Sequence, residues 1–227
     1  MVIGEKLSSI NIEQIPHIHL LKDPKTMTEH PELQPGEYLE LLIPRQAVDK
    51  RVAEIALAIK RDCESLGPEN VLFVPIEKGG GRFLELVQKE IQDTITEKRI
   101  QRMRIKSYFG AKSTGDLQFL PPFLNPEKLH GKDVFIFEDI YDTGLTLQGA
   151  IEKVKEGKPA SISIAVLLDK QEVLGKIPVP EITYCCFIID NEFVVGASCL
   201  DHMIKENGKE VERFRDLKDL WVLAGAT

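Results

Sequence analysis

Asp133–Thr146 reads DVFIFEDIYDTGLT. Its opening run, Asp133–Phe137, has the length and apolar density of a strand buried on both faces, as in a parallel sheet. Glu138, Asp139 and Asp142 emerge at the carboxyl end of that strand. Thr143, Gly144, Leu145 and Thr146 then stand at the entrance to a helix expected from about Thr146 to Gly157. Ala160–Leu168 (ASISIAVLL) is the next strand. Strand, loop, helix and strand make a βαβ unit, which closes with right-handed parallel pairing in nearly every known case. Ligands of open α/β sheets sit beyond the carboxyl ends of the strands, and that is where the acids and the T-G-x-T run come out.

The chemistry of the loop follows from its residue types. Backbone N–H groups are free at a helix start, and the helix dipole favours an anion there. Gly144 lets the backbone approach a ligand closely, and the threonine hydroxyls add donors for phosphate oxygens. The carboxylates suit sugar hydroxyls or Mg²⁺. A helix cap needs only one such residue. Three acids joined to T-G-x-T after a buried strand describe a site for a phosphorylated sugar.

Working outward, Val71–Ile76 (VLFVPI) is a second buried strand, followed at once by Gly79-Gly80-Gly81. Upstream, Pro44 opens a helix in which Val48, Val52, Ile55, Ala56 and Ile59 recur at helical spacing, until Gly67-Pro68 stops it. A second helix is expected from about Arg82 to Thr96, and a strand over Arg99–Tyr108. The polar stretch Gly110–Gln118 reads as a mobile loop. Short strands are expected at Tyr38–Ile43, Thr183–Ile189, Phe193–Gly196 and Leu220–Ala224, with Trp221 a packing residue. The pattern is α/β: a doubly wound sheet with an irregular cap.

The chain has 227 residues, 43% of them apolar, and a net charge of −7. That length suits one domain with extensions, and the apolar share supports a sizeable core. The acidic balance argues against a nucleic-acid partner. The four cysteines, Cys63, Cys185, Cys186 and Cys199, form no CxxC pair and have no histidine at zinc-ligand spacing, so they read as reduced, buried thiols. No stretch approaches the ~20 apolar residues of a membrane span, and no secretory signal is legible. A cytoplasmic location without a membrane partner is the expectation. His17 and His19 alternate as on a strand and read as surface residues.

The Glu138–Thr146 segment resembles the phosphoribosyl diphosphate (PRPP) signature of the type I phosphoribosyltransferases. Further stretches are similar to the hypoxanthine-guanine enzymes of that family: Glu77-Lys78-Gly79-Gly80, Lys106-Ser107-Tyr108, Ser113-Thr114-Gly115-Asp116, Leu167-Leu168 with Lys170, Phe193-Val194-Val195-Gly196 and Phe214-Arg215-Asp216-Leu217. They run in family order from about residue 70 to 222, while the N-terminal 40 residues show no match. The resemblance implies the type I phosphoribosyltransferase fold, a mainly parallel twisted sheet flanked by helices with a small irregular hood. Residues 1–43 would form an N-terminal segment of the hood and 44–227 the phosphoribosyltransferase domain, with about 184–218 also contributing to the hood.

It also implies an activity: transfer of the phosphoribosyl group from PRPP to N9 of a 6-oxopurine, giving a nucleoside monophosphate and pyrophosphate. Glu138 and Asp139 match the acids that hold the ribose hydroxyls and Mg²⁺. Asp142 matches the acid facing purine N7, a general base or proton shuttle. Asp142, Thr143, Gly144, Leu145 and Thr146 match the 5′-phosphate cradle, although Leu145 replaces a frequent lysine. Lys78, Gly79 and Arg215 match the pyrophosphate site, with Glu77 where the family has an apolar residue and often a non-proline cis peptide. Ser107, Tyr108, Ser113 and Thr114 match a mobile lid that excludes water. Lys170 matches the lysine that donates to the 6-oxo group, Phe193 the stacking aromatic, Val194 a backbone contact to the purine 2-position, and Asp201 a second metal ligand. Residues 202–212 are longer and more charged than the family's link, and an added helix or a partner surface is expected there. A homodimer or homotetramer is implied. A PRPP-sensing regulator, or an enzyme for another base such as orotate or adenine, is the alternative.

Overall fold

The computed structural model describes residues 15–19, 27–28, 30–107, 117–206 and 209–225. In chain order the strands are β1 (His17–Ile18), β2 (Met27–Thr28), β3 (Tyr38–Ile43), β4 (Val71–Glu77), β5 (Met103–Ser107), β6 (Leu117–Leu120), β7 (Asp133–Tyr141), β8 (Ser161–Lys170), β9 (Tyr184–Ile189), β10 (Val194–Gly196), β11 (His202–Glu206), β12 (Lys209–Arg213) and β13 (Leu220–Ala224). The helices are α1 (Arg45–Leu66), α2 (Gly79–Glu90), α3 (Pro126–Leu129) and α4 (Leu145–Lys155).

The main sheet has the order β1-β9-β8-β7-β4-β5-β6. Every pairing in it is parallel except β5 with β6. Strand alternation sends successive side chains to opposite faces. Phe73, Phe135 and Phe137 therefore pack with Val52, Ile55 and Ile59 of α1 and Phe83 of α2. Leu72, Val74, Val134 and Ile136 face Leu147, Ala150, Ile151 and Val154 of α4. Helices thus cover both faces, which is why the central strands read as unbroken apolar runs.

A second, antiparallel sheet has the order β10-β13-β3-β2 and closes over Leu39, Val195, Phe214 and Leu223. It joins an N-terminal strand to the C-terminal part of the chain. The family resemblance had no purchase on that N-terminal strand.

Several boundaries differ from the sequence expectation. The helix expected over Arg82–Thr96 is displaced to Gly79–Glu90. The glycines lie within its first turn because the helix backbone packs directly on β7: a Cβ at Gly80 would stand 2.2 Å from the Phe137 carbonyl oxygen. The strand expected from Arg99 begins at Met103, since Glu97–Arg99 is a turn of 3₁₀ helix. The segment 202–212 forms no helix but an antiparallel hairpin, β11 with β12, in which His202 faces Arg213 and Glu206 faces Lys209. The four cysteines are buried and unpaired, and burial pushes the Cys63 and Cys185 thiols up to about 12.

Candidate active site

β7 does not stop at Phe137. It continues to Tyr141, so Glu138 and Asp139 lie within the strand, with Glu138 opposite Val166 and Tyr141 opposite Asp169 of β8. Glu138 is 9% exposed, and its Oε2 has no hydrogen-bond partner. Burial, reinforced by the neighbouring Asp139, pushes the Glu138 carboxyl well above its ordinary range. Burial also raises Asp139, whose Oδ1 accepts from the Ile140 N–H at 3.0 Å.

Gly144 is the N-cap of α4, with φ of +83°. The left-handed backbone there favours glycine. A Cβ at this position would also fall 2.4 Å from the Ile177 carbonyl oxygen. That carbonyl accepts from the Tyr141 hydroxyl at 2.8 Å, and the Ile177 N–H donates to the Thr143 oxygen at 2.7 Å. The segment around Ile177 therefore braces the turn from behind. In front, Glu138 and Ile140–Leu147 line a cavity of about 200 Å³ onto which the first turn of α4 opens.

A second cavity, of about 470 Å³, brings together Lys78, Gly79, Glu138, Asp139, Thr146, Asp201 and Arg215, with Arg104, Lys106 and Glu210 at its wall. The Glu77–Lys78 peptide is cis. A Cβ at Gly79 would lie 1.8 Å from Asp139 Oδ2, so only glycine lets α2 approach the acid this closely. Glu77 points away to accept from Arg102 at 2.9 Å, and that hydrogen bond raises Arg102. The carboxylate at the unusual position 77 is thereby neutralised by a partner the sequence reading did not single out.

Two cations of this cavity, Lys78 and Arg215, are paired. Lys78 Nζ donates to Glu212 at 2.5 Å, and Arg215 bonds Glu212, Asp201 (2.5 Å) and the Cys199 carbonyl oxygen (2.5 Å). Burial alone would raise Glu212, but hydrogen bonds from Lys78 and Arg215 outweigh it and hold the carboxyl below its usual range.

Just past the C-terminal end of β7, Lys170 Nζ donates to Asp142 Oδ2 at 2.9 Å. Lys170 is 7% exposed. Lys176, missed in the sequence, donates to Asp169 at 2.6 Å and to the Lys170 carbonyl oxygen at 2.5 Å, and lies 3.7 Å over the Tyr141 ring. Its only sequence signal was a lysine after Gly175. Phe193 is 47% exposed, its ring edge-on to His202 at 5.0 Å, and Val194 is buried in β10. Ser107 ends β5, while Tyr108, Ser113 and Thr114 lie outside the described residues.

A family model described as a phosphoribosyl transferase domain matches residues 42–202. A hypoxanthine-guanine phosphoribosyltransferase of Dictyostelium discoideum is 33% identical over 182 residues, covering 79% of this chain and 96% of that one. The chain belongs to the hypoxanthine-guanine phosphoribosyltransferase family. The phosphoribosyltransferase of that name from Mycobacterium tuberculosis is 29% identical over 195 residues, 85% of this chain and 89% of its own. Among solved structures, the hypoxanthine phosphoribosyltransferase of Staphylococcus aureus superposes with a TM-score of 0.64 at 29% identity, covering 81% of this chain and 90% of that one. The Trypanosoma cruzi hypoxanthine phosphoribosyltransferase gives 0.68 at 26% identity, over 86% and 94% of the two chains. The expected fold is thus the observed one. Among the described residues, no helix is long and apolar enough to cross a membrane.

Proposed function

We propose that this phosphoribosyltransferase moves the 5-phosphoribosyl group of PRPP to N9 of hypoxanthine, guanine or xanthine and releases pyrophosphate. The observation that carries the reading is the Lys170–Asp142 pair at 2.9 Å, which joins the end of β8 to the loop that precedes α4. A nearly buried ammonium suits a 6-oxo acceptor, and an acid beside it suits the N7 proton of the same purine ring.

The remaining roles are those the family resemblance implies, and position supports them. The backbone from Asp142 to Thr146 cradles the 5′-phosphate at the N-terminus of α4. Glu138 and Asp139 hold the ribose hydroxyls. Lys78, the Gly79 backbone and Arg215 take the pyrophosphate, and the exposed Phe193 ring stacks on the base. Ser107, with Tyr108, Ser113 and Thr114, belongs to the lid. The donor set fits Mg²⁺: hard carboxylate oxygens of Glu138, Asp139 and Asp201 around one cavity, one of them a buried oxygen without a partner. When bound, the ion neutralises charge on the departing pyrophosphate. The protein's own part is to align ribose with purine and to exclude water from the cationic ribose centre. A homodimer or homotetramer is expected, which light scattering reads directly.

The test is incubation with PRPP, Mg²⁺ and, separately, guanine, hypoxanthine, xanthine, adenine and orotate, with nucleotide as the readout. Turnover of the oxopurines alone is expected. No turnover with any base overturns the enzymatic reading, and turnover of adenine alone refutes the role of Lys170.

A further inference from the structure

A group of metal-ligating side chains lies apart from both cavities. His17 Nε2 is 3.2 Å from Asp190 Oδ1, and His19 Nδ1 is 2.9 Å from Asp190 Oδ2. One donor atom from each residue falls within 4.8 Å of the others. We propose that His17, His19 and Asp190 form a site for a divalent transition-metal ion of the zinc or nickel class, which fastens the N-terminal strand β1 to the edge of the main sheet.

The fold builds this site from two distant segments. β1 runs parallel to β9, with His17 opposite Ile188 and Ile18 opposite Ile189. Strand alternation sends His17 and His19 to one face and Ile18 to the other, where it packs on the core. Asp190 follows the last paired residue of β9. The Ile188 N–H donates to the Pro16 carbonyl oxygen at 2.9 Å, which fixes the register that aligns the three donors.

Charge favours a metal over a plain ion pair, and the spacing accommodates one. One imidazolium neutralises one carboxylate. A second would place two cations on rings whose centroids are 4.1 Å apart. Two neutral imidazoles and a carboxylate around one divalent ion avoid that repulsion. Donors at ~2.0–2.1 Å from a common metal stand roughly 2.8–3.4 Å from each other across octahedral and tetrahedral arrangements. His17 Nε2 stands 3.2 Å from Asp190 Oδ1 and His19 Nδ1 2.9 Å from Oδ2, within that range for a carboxylate that offers both oxygens. Imidazole selects Zn²⁺, Ni²⁺ or Cu²⁺ over Mg²⁺, whereas Glu138, Asp139 and Asp201 offer only oxygen. The side chains are 41%, 62% and 39% exposed, so water completes the coordination.

The two-residue β1 has few backbone bonds of its own, and a metal cross-link supplies what that short ladder lacks. The inference does not depend on the proposed catalytic activity. Its test is calorimetric titration of the chelator-treated full chain with Zn²⁺, with Mg²⁺ in excess to occupy the oxygen ligands of the active site, alongside melting curves. One Zn²⁺ per chain is expected, with a rise in melting temperature that EDTA reverses. The double variant His17→Ala/His19→Ala, and separately Asp190→Ala, should weaken this binding more than about tenfold and abolish the rise. Asp139→Asn should leave both intact. Absence of binding in the native chain, or undiminished binding in the double variant, overturns the proposal.

Discussion

Glu212 accepts a hydrogen bond from Lys78 at 2.5 Å while it also binds Arg215. One carboxylate on β12 thus contacts both cations assigned to the pyrophosphate, and Asp201 shares Arg215 with it. A phosphate entering this cavity competes with Glu212 for them.

That competition predicts the behaviour of Glu212→Gln. The glutamine keeps the shape and a hydrogen-bond acceptor but removes the charge. Lys78 is 52% exposed and Glu212 28%, so screening limits the pairing to about 1 kcal/mol. The KM for PRPP and the inhibition constant for pyrophosphate should both fall, by roughly three- to tenfold. Steady-state kinetics against both ligands decide it. Unchanged or higher values would show that Glu212 serves to hold Arg215 in place rather than to compete with substrate.

Gly144→Ala should damage the cradle in two ways. Its φ of +83° disfavours an L side chain, and the new Cβ would meet the Ile177 carbonyl oxygen at 2.4 Å. Relief requires moving the segment that braces Thr143. A loss of about 1–3 kcal/mol of stability is expected, together with a raised KM for PRPP. Thermal melting and kinetics measure the two effects. A variant with native melting temperature and native KM would show that the turn relaxes freely.

The central strands and the acidic loop were legible because both signals are local. DVFIF and VLFVPI are buried on both faces, and their apolar runs declare it. The partnerships that tune the site are not local. Glu77 finds Arg102 across the β4–β5 pairing, and Glu212 reaches Lys78 from 134 residues away. The hairpin at 202–213 does have a local signal in the sequence: Asn-Gly, a dipeptide common in tight turns, occupies positions 207 and 208. High charge masks the single apolar cross-strand pair, Ile204 with Val211, and an added helix or a partner surface was expected there. The Asp190 side of the histidine pair was invisible for the same reason as Arg102: only the β1–β9 register brings it there.

The base of that hairpin carries a stability prediction. Arg213 donates to both oxygens of Glu37, at 2.8 and 3.0 Å, and to the Glu32 carbonyl oxygen. The two side chains are only 4% and 8% exposed. The hydrogen bonds from Arg213 hold the Glu37 carboxyl below its ordinary value of 4.5. A carboxyl depressed in the folded state stabilises above its unfolded pKa and loses that effect as pH falls through the folded one. Glu37→Gln should therefore lower stability by about 2 kcal/mol at neutral pH. The gap to the native chain should close progressively below pH 4.5. Melting curves across that range test it, and a gap independent of pH would show that the ionised form is not what matters.

The Lys170–Asp142 pair separates chemistry from recognition. Asp142→Asn keeps an acceptor for Lys170 at the same 2.9 Å contact but removes the carboxylate proposed to take or share the purine proton. If Asp142 acts as that shuttle, kcat should fall by ~10²-fold or more, with KM for the base changed far less. Lys170→Gln should act differently. An amide can offer either a donor or an acceptor to the base, so the variant should lose discrimination between hypoxanthine and adenine through kcat/KM. Parallel kinetics of the two variants on both bases distinguish these roles. An unchanged rate in Asp142→Asn removes the proton assignment, and retained oxopurine preference in Lys170→Gln moves the specificity determinant elsewhere, Lys176 being a neighbouring cation, hydrogen-bonded to the Lys170 carbonyl oxygen itself.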